Sequence, residues 1–200
     1  MKKEIEKRWI GEFDEINRMT VVSYAGAAEK PPAERKKQVE DDLLAFFILA
    51  YNRGVRDAED MTETAVDFTL AEMQNTIYFQ IEGRTWIERA DEHIQNADIS
   101  ALQTLVATEY HRIYNQASLN AGIKVQEKHP ALDLVKTWHT MLDDKVRDTH
   151  KYLENVSLAV TDDFYTYDGD HASSPGNFAK AENNAGCRCI LDFHFQNATP

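Results

Sequence analysis

The sequence CRCILDFHF at residues 187–195 gives the clearest indication of the fold class of this 200-residue chain. Its odd positions carry thiols or apolar side chains, whereas three of its four even positions carry Arg188, Asp192 and His194. Because successive side chains of a β-strand point to opposite faces of a sheet, this period of two predicts a half-buried strand. Both thiols, Cys187 and Cys189, are expected on its inner face.

The other residues after Pro130 predict a small module around that strand. Strands are expected at 132–138 and 156–160, a short helix at 143–152, and a loop rich in Gly, Asp, Ser and Pro at 163–178. We therefore interpret residues 126–200 as an α+β module in which a helix packs on an antiparallel sheet.

Residues 1–125 show the period of helices instead. Apolar side chains recur at helical spacing after the double proline Pro31-Pro32, which suits a helix start. A last long helix is expected from near Asp98, as its N-cap, to near Gly122. The predicted fold class is therefore α+β, with an N-terminal helical bundle over residues 1–125 followed by the small C-terminal module.

Negative charge dominates outside the first 57 residues. The chain holds 22 basic and 34 acidic side chains, for a net charge of −12, yet residues 1–57 are balanced at 11 of each. DNA affinity requires local positive potential, so any DNA contact is expected to be weak and confined to this segment. The candidate residues are Lys2, Lys3, Lys7, Arg8, Arg35, Lys36 and Lys37. A solvated helix face is the alternative, because acidic residues are interleaved with these bases.

Export and membrane insertion are not expected. The first 15 residues contain no uninterrupted apolar stretch, and the longest apolar run, residues 43–51, is about half the length of a bilayer-spanning helix. The two cysteines are separated by one residue, so a bridge between them would be strained. They are expected to be thiols in a reducing compartment.

Glu109 stands out in the predicted helix at 98–122. It lies three residues after Val106 and four before Ile113, on the apolar stripe, so its carboxylate is expected to point into the core. A buried carboxylate needs a cation or hydrogen-bond donors. Arg147 is the expected partner, because a guanidinium holds a carboxylate in two parallel hydrogen bonds. A catalytic carboxylate is the alternative.

The sequence DDKVRDTH at residues 143–150 is a second group of interest. Asp143 is expected to cap a short helix, from which Arg147 and His150 project at a spacing of three. Val146 and Leu153 share the side of His150, so its imidazole is expected among apolar neighbours.

The two cysteines are the third group. Together with His150 they are weak candidates for a zinc site. The possible fourth ligands are His139, Asp143 and His171. Structural zinc sites usually show two tight ligand pairs, and this chain has one, so buried apolar-like thiols and no metal cofactor are expected. A nucleophilic Cys–His pair is a further alternative.

Five sequence blocks are similar, in order and spacing, to one known family. They are TEYHRIYNQASLNAG from Thr108, Lys136-Thr137-Trp138, DDKVRDTH from Asp143, Phe164 with Pro175-Gly176, and NNAGCRC from Asn183. Over residues 105–195 the chain thus resembles the Mu F-like minor head proteins of tailed bacteriophages, a phage head morphogenesis family.

The resemblance implies a non-enzymatic structural protein of the virion. Such a protein enters the procapsid during assembly in the host cytoplasm and lies inside the head, near the portal and the packaged DNA. The implied partners are portal, capsid and scaffold proteins, with no small-molecule substrate and no membrane. The matching residues are expected to form a structural polar core: Glu109, Trp138, Asp143, Arg147, His150, Cys187, Arg188 and Cys189.

Partner binding is expected through the apolar run at 43–51. An exposed apolar patch marks a protein contact, and the candidates there are Phe46, Phe47 and Leu49. Two other functions stay open. One is a metal-dependent or acid–base hydrolase, or a nucleic-acid-acting enzyme, that uses Glu109, His150 and the cysteines. The other is a DNA-binding protein delivered with the genome.

Overall fold

The computed structural model describes the backbone of residues 2–196 and the side chains of residues 11–196. Five helices precede the first strand. They are α1 (Lys2–Ala27), α2 (Pro32–Thr62), α3 (Leu70–Ile77), α4 (Trp86–Gln95) and α5 (Ile99–Lys128). The remaining elements are β1 (Asp133–His139), α6 (Asp148–Lys151), β2 (Ser157–Ala159), β3 (Phe164–Tyr165), β4 (His171–Ala172), α7 (Ala181–Asn184) and β5 (Ile190–Gln196). The predicted α+β fold class is confirmed.

A three-stranded antiparallel sheet in the order β2–β1–β5 organises the C-terminal part. The central strand β1 places Trp138 opposite Leu191 of β5 and Val135 opposite Ala159 of β2. Trp138, Leu191 and Phe193 belong to one buried cluster, on the face of the sheet that packs against α5. The strands β3 and β4 form a separate two-stranded hairpin.

Local sequence signals set the helix starts. Pro32 opens α2, and Asp98 caps α5 by accepting a hydrogen bond from the backbone N–H of Ala101 at 3.0 Å. The helices α3 and α4 begin with capping boxes, in which Thr69 and Thr85 each exchange hydrogen bonds with the glutamate three residues later. Within the described residues, no helix combines the length and hydropathy of a membrane span.

Two glycines of the helices permit close packing. A Cβ atom on Gly54 of α2 would lie 2.2 Å from the backbone oxygen of Tyr114 on α5, a distance that no side chain tolerates. A Cβ atom on Gly122 of α5 would lie 2.6 Å from the ring of Phe193 on β5. The first contact joins the two long helices, and the second joins α5 to the sheet.

Two clusters of buried apolar side chains share α5. The larger cluster contains Phe47, Trp86 and Val106, among helices of the N-terminal part. The smaller cluster surrounds Trp138 under the sheet and includes Val125 from the end of α5. The helix α5 continues to Lys128, beyond the predicted domain boundary at residue 125. The division into two domains stays a prediction.

The end of α5 corrects one predicted boundary. The helix ends at Lys128, not near Gly122, because Gly122 is a packing site under Phe193 and not a helix C-cap. The glycine signal in the sequence therefore reflects a close contact between elements.

Two boundaries in the C-terminal part also differ from their predictions. The strand β5 begins at Ile190, so both cysteines lie in the connection between α7 and β5, residues 185–189, here called the turn before β5. Gly186 in this turn has a φ of 64°. The helix predicted at 143–152 is confined to α6. The carboxylate of Asp143 accepts a hydrogen bond from the backbone N–H of Lys145 at 3.1 Å, which favours a turn there.

Candidate functional site

Glu109 on α5 is 0% exposed and is held by two arginines. Its Oε2 accepts a hydrogen bond from Nε of Arg112 at 2.9 Å, and its Oε1 lies 2.9 Å from Nη2 of Arg89 on α4. Arg112 also donates to the backbone oxygen of Thr76 on α3 at 3.1 Å. A single buried carboxylate therefore connects three helices.

The predicted pairing of Glu109 with Arg147 is wrong. Arg147 precedes α6 and donates a hydrogen bond to the backbone oxygen of Ala185. Arg112 reaches Glu109 from one turn along the same helix, because side chains three residues apart are neighbours on a helix. That spacing was a usable sequence signal, whereas nothing local marks Arg89 as the second partner.

His150, Cys187 and Cys189 meet in the interior between α6 and the turn before β5. The Nδ1 atom of His150 lies 3.7 Å from Sγ of Cys187 and 3.5 Å from Sγ of Cys189. All three residues are buried. The imidazole packs between two rings, edge-on to Trp138 at 5.5 Å and stacked on Phe178 at 5.2 Å between centroids.

The two thiols are electrostatically different. A hydrogen bond with Cys189 holds the pKa of the Cys187 thiol well below its ordinary value, and contact with His150 acts in the same direction. Burial raises the pKa of Cys189. Burial also lowers the pKa of the nearby His111, which favours its neutral form. The pair therefore carries one negative charge more easily than two.

Polar contacts hold the turn that carries the thiols. Arg188 pairs with Asp143 at 2.6 Å, and the Asn115 amide of α5 donates to the backbone oxygen of Cys189 at 3.2 Å. Seven of the eight residues predicted for the polar core thus lie around this turn. Glu109 is bound by arginines outside the predicted set.

Asp170 organises a further buried polar group that the sequence did not single out. Its carboxylate accepts hydrogen bonds from the backbone N–H groups of His171, Ala179 and Lys180 and from the Asn183 amide, at 2.9 to 3.1 Å. Burial by itself would raise its pKa, yet these donors hold the pKa below its ordinary value. Asp170 lies in the loop-rich stretch at 163–178 and Asn183 begins the NNAGCRC block, and neither pattern predicts their contact.

The structure corrects one of the three predicted partner-binding residues. Phe47 is 1% exposed, and its ring packs edge-on against Trp86 at 4.9 Å between centroids, so it belongs to the core. Phe46 is half-buried, and Leu49 is 44% exposed. Because adjacent side chains of a helix point about 100° apart, Phe46 and Phe47 face different directions and differ in burial.

The predicted DNA-contacting residues divide into two sets. The side chains of Lys2, Lys3, Lys7 and Arg8 lie outside the described residues. The others already have partners: Arg35 donates to the backbone oxygen of Ala28 at 2.9 Å, Lys36 pairs with Asp91 at 2.7 Å, and Lys37 pairs with Asp41 at 2.9 Å. The positive charges of Lys36 and Lys37 are thus compensated by carboxylates, whereas Arg35 is held by a backbone oxygen.

These observations define a class of protein: an α+β module joined to long helices, whose charged and thiol side chains are enclosed between its elements. A cavity of about 10 Å³ lies next to the thiols and is lined by Met141, Arg147 and Gly186, among others. The chain belongs to the family described as Phage Mu protein F like protein, whose sequence profile matches residues 71–192. The resemblance seen in the sequence is confirmed, and the match extends upstream to α3.

One curated relative is Minor head protein GP7 of Bacillus phage SPP1, which is 24% identical to this chain over 93 residues. The alignment covers 46% of this chain and 29% of that protein. The chain therefore matches less than a third of its relative's length. No solved structure matches the chain significantly.

Proposed function

We propose that this chain is a structural minor head protein of a tailed bacteriophage that is incorporated during head assembly. Family membership over residues 71–192 carries this proposal, and the name of the SPP1 relative supports it. The protein would lie inside the virion near the portal, after assembly in the host cytoplasm.

The burial of the family-like polar residues supports a role in the fold. Glu109, His150 and both cysteines are enclosed, and the cavity beside the thiols has about the volume of one water. Buried, partnered charges tie helices and sheet together without contacting a substrate. The expectation that the protein is not an enzyme thus remains part of the proposal.

Co-assembly tests this function. The chain would be expressed with the portal, scaffold and major capsid proteins of its own phage, and procapsids would be separated by sedimentation. We expect the chain to sediment with procapsids and to be lost from them when the portal gene is omitted. A chain that stays at the top of the gradient in both cases would contradict the proposal.

Binding to the portal would use the outer face of α2. Phe46 and Leu49 lie three residues apart, on neighbouring positions of the helix surface, and Leu49 is 44% exposed. Pull-down by the portal should weaken at least about tenfold in a Phe46→Asp, Leu49→Asp variant, since apolar anchors dominate interface energies. Tyr165→Asp is the matched control, because this exposed aromatic lies outside α2, on the β3–β4 hairpin. Undiminished binding by a folded double variant would refute the assignment.

Contact with packaged DNA would be weak. The described bases Arg35, Lys36 and Lys37 are already engaged locally, and the chain carries a net charge of −12. We expect duplex binding at low salt that disappears at physiological salt, as counterion release requires. Tight binding at physiological salt would instead favour a DNA-binding protein delivered with the genome.

A further inference from the structure

We propose that His150, Cys187 and Cys189 bind one zinc ion, which fastens the turn before β5 to α6. The sequence alone favoured buried thiols without metal, because the chain has a single tight ligand pair. The fold supplies the third ligand from a segment 37 and 39 residues away from the two cysteines.

The distances between the three atoms fit a tetrahedral metal site. Zinc–sulfur and zinc–nitrogen bonds of about 2.3 and 2.0–2.1 Å at tetrahedral angles put sulfur and nitrogen about 3.6 Å apart. The two observed separations from Nδ1 of His150 are 3.5 and 3.7 Å. The three ligand atoms lie within 4.8 Å of one another. The two nitrogen–sulfur separations are therefore of the size that one shared cation requires.

Hydrogen bonds alone satisfy this arrangement poorly. An imidazole nitrogen makes one hydrogen bond, through either its proton or its lone pair, yet both sulfur atoms converge on the same Nδ1 of His150. A bound cation uses the lone pair of Nδ1 and both sulfur atoms at once.

The chemistry of the donors selects zinc. Two thiolates and one imidazole are ligands that zinc prefers, whereas magnesium and calcium take oxygen ligands. Within the described part of the chain, the group contains three protein ligands. The cavity of about 10 Å³ beside Cys187 and Cys189 suits a single water as the fourth ligand. That volume is too small for a substrate at the fourth position, which favours a structural role for the site.

Metal content of the full chain tests this proposal directly. Protein purified in reducing buffer and reconstituted with zinc should contain one equivalent after gel filtration, measured by mass spectrometry of the metal. Cobalt(II) in place of zinc should show thiolate charge-transfer and tetrahedral ligand-field bands. The metal content should fall to background in the single variants Cys187→Ser, Cys189→Ser and His150→Gln and in the triple variant that combines them. The exposed His194→Gln on β5 is the matched control and should retain it.

A measurement on the unchanged chain covers variants that fail to fold. With zinc bound, both thiols should react slowly with a thiol reagent, and a chelator should speed this reaction and lower the melting temperature. Background zinc after reconstitution, together with no thiolate bands from cobalt, would overturn the proposal. Retention of the metal by a folded triple variant would also overturn it.

Discussion

Glu109→Gln tests whether the enclosed polar residues hold the fold together. The change keeps the size of the side chain and removes its charge, so Arg112, which is 1% exposed, loses its ionic partner inside the protein. Breaking a buried ion pair from one side costs about 3–5 kcal/mol. Glutamine keeps one acceptor oxygen, and Arg89 is 19% exposed and able to turn towards water, so we expect the lower limit, about 3 kcal/mol.

Urea unfolding followed by circular dichroism measures this loss of free energy. For a chain of this size the same loss lowers the melting temperature by about 6–12 °C. Glu127→Gln is the matched control, because this glutamate lies exposed on the same helix. Its replacement should change the stability by less than about 0.5 kcal/mol.

A double variant separates the loss of the Glu109–Arg112 ion pair from the cost of leaving Arg112 buried without an ionic partner. When Glu109 and Arg112 are both replaced by Met, no buried charge is stranded at that pair, so the double variant should be more stable than Glu109→Gln. A Glu109→Gln protein within about 1 kcal/mol of the wild type would refute the reasoning, because the carboxylate would then contribute little to the fold.

Three further variants test other parts of the structure. Burial lowers the pKa of Lys136 from 10.5 to about 8. Between these two pH values the unfolded chain binds more protons than the folded chain. The free energy of unfolding of the wild type should therefore rise by about 3 kcal/mol from pH 8 to pH 10.5. Lys136→Met should lack this rise in urea unfolding, and parallel pH profiles would contradict the assignment. Gly54→Ala should destabilise the protein by about 1–3 kcal/mol because it forces α2 away from α5. The control Gly11→Ala, on α1 with open space around it, should be neutral or stabilising. Equal effects of the two variants in thermal unfolding would count against the close contact. Asp170→Asn should destabilise the protein by about 1–3 kcal/mol at pH 7. Because its folded pKa is lowered, this difference should shrink as the pH falls through that pKa, and a difference constant with pH would argue against ionised Asp170.

Local patterns account for what could be predicted of this protein. The period of two after Ile190, the cap at Asp98 and the inward direction of Glu109 each depend on residues within one strand or a few helical turns. The capping boxes at Thr69 and Thr85 were equally local, and their sequence signal was available. The order and spacing of short blocks indicated the family, and the match over residues 71–192 confirmed it.

The class of fold, the family and the burial of one carboxylate and two thiols were all predictable from the amino-acid sequence. Three features depend on how distant elements pack: Arg89 binds Glu109, Phe47 is enclosed whereas Leu49 is exposed, and His150 meets both cysteines. Periodicity places a side chain on one face of its own helix or strand. Its contacts depend on how elements distant in the chain pack together, and here α5 sets that packing because both hydrophobic clusters share it.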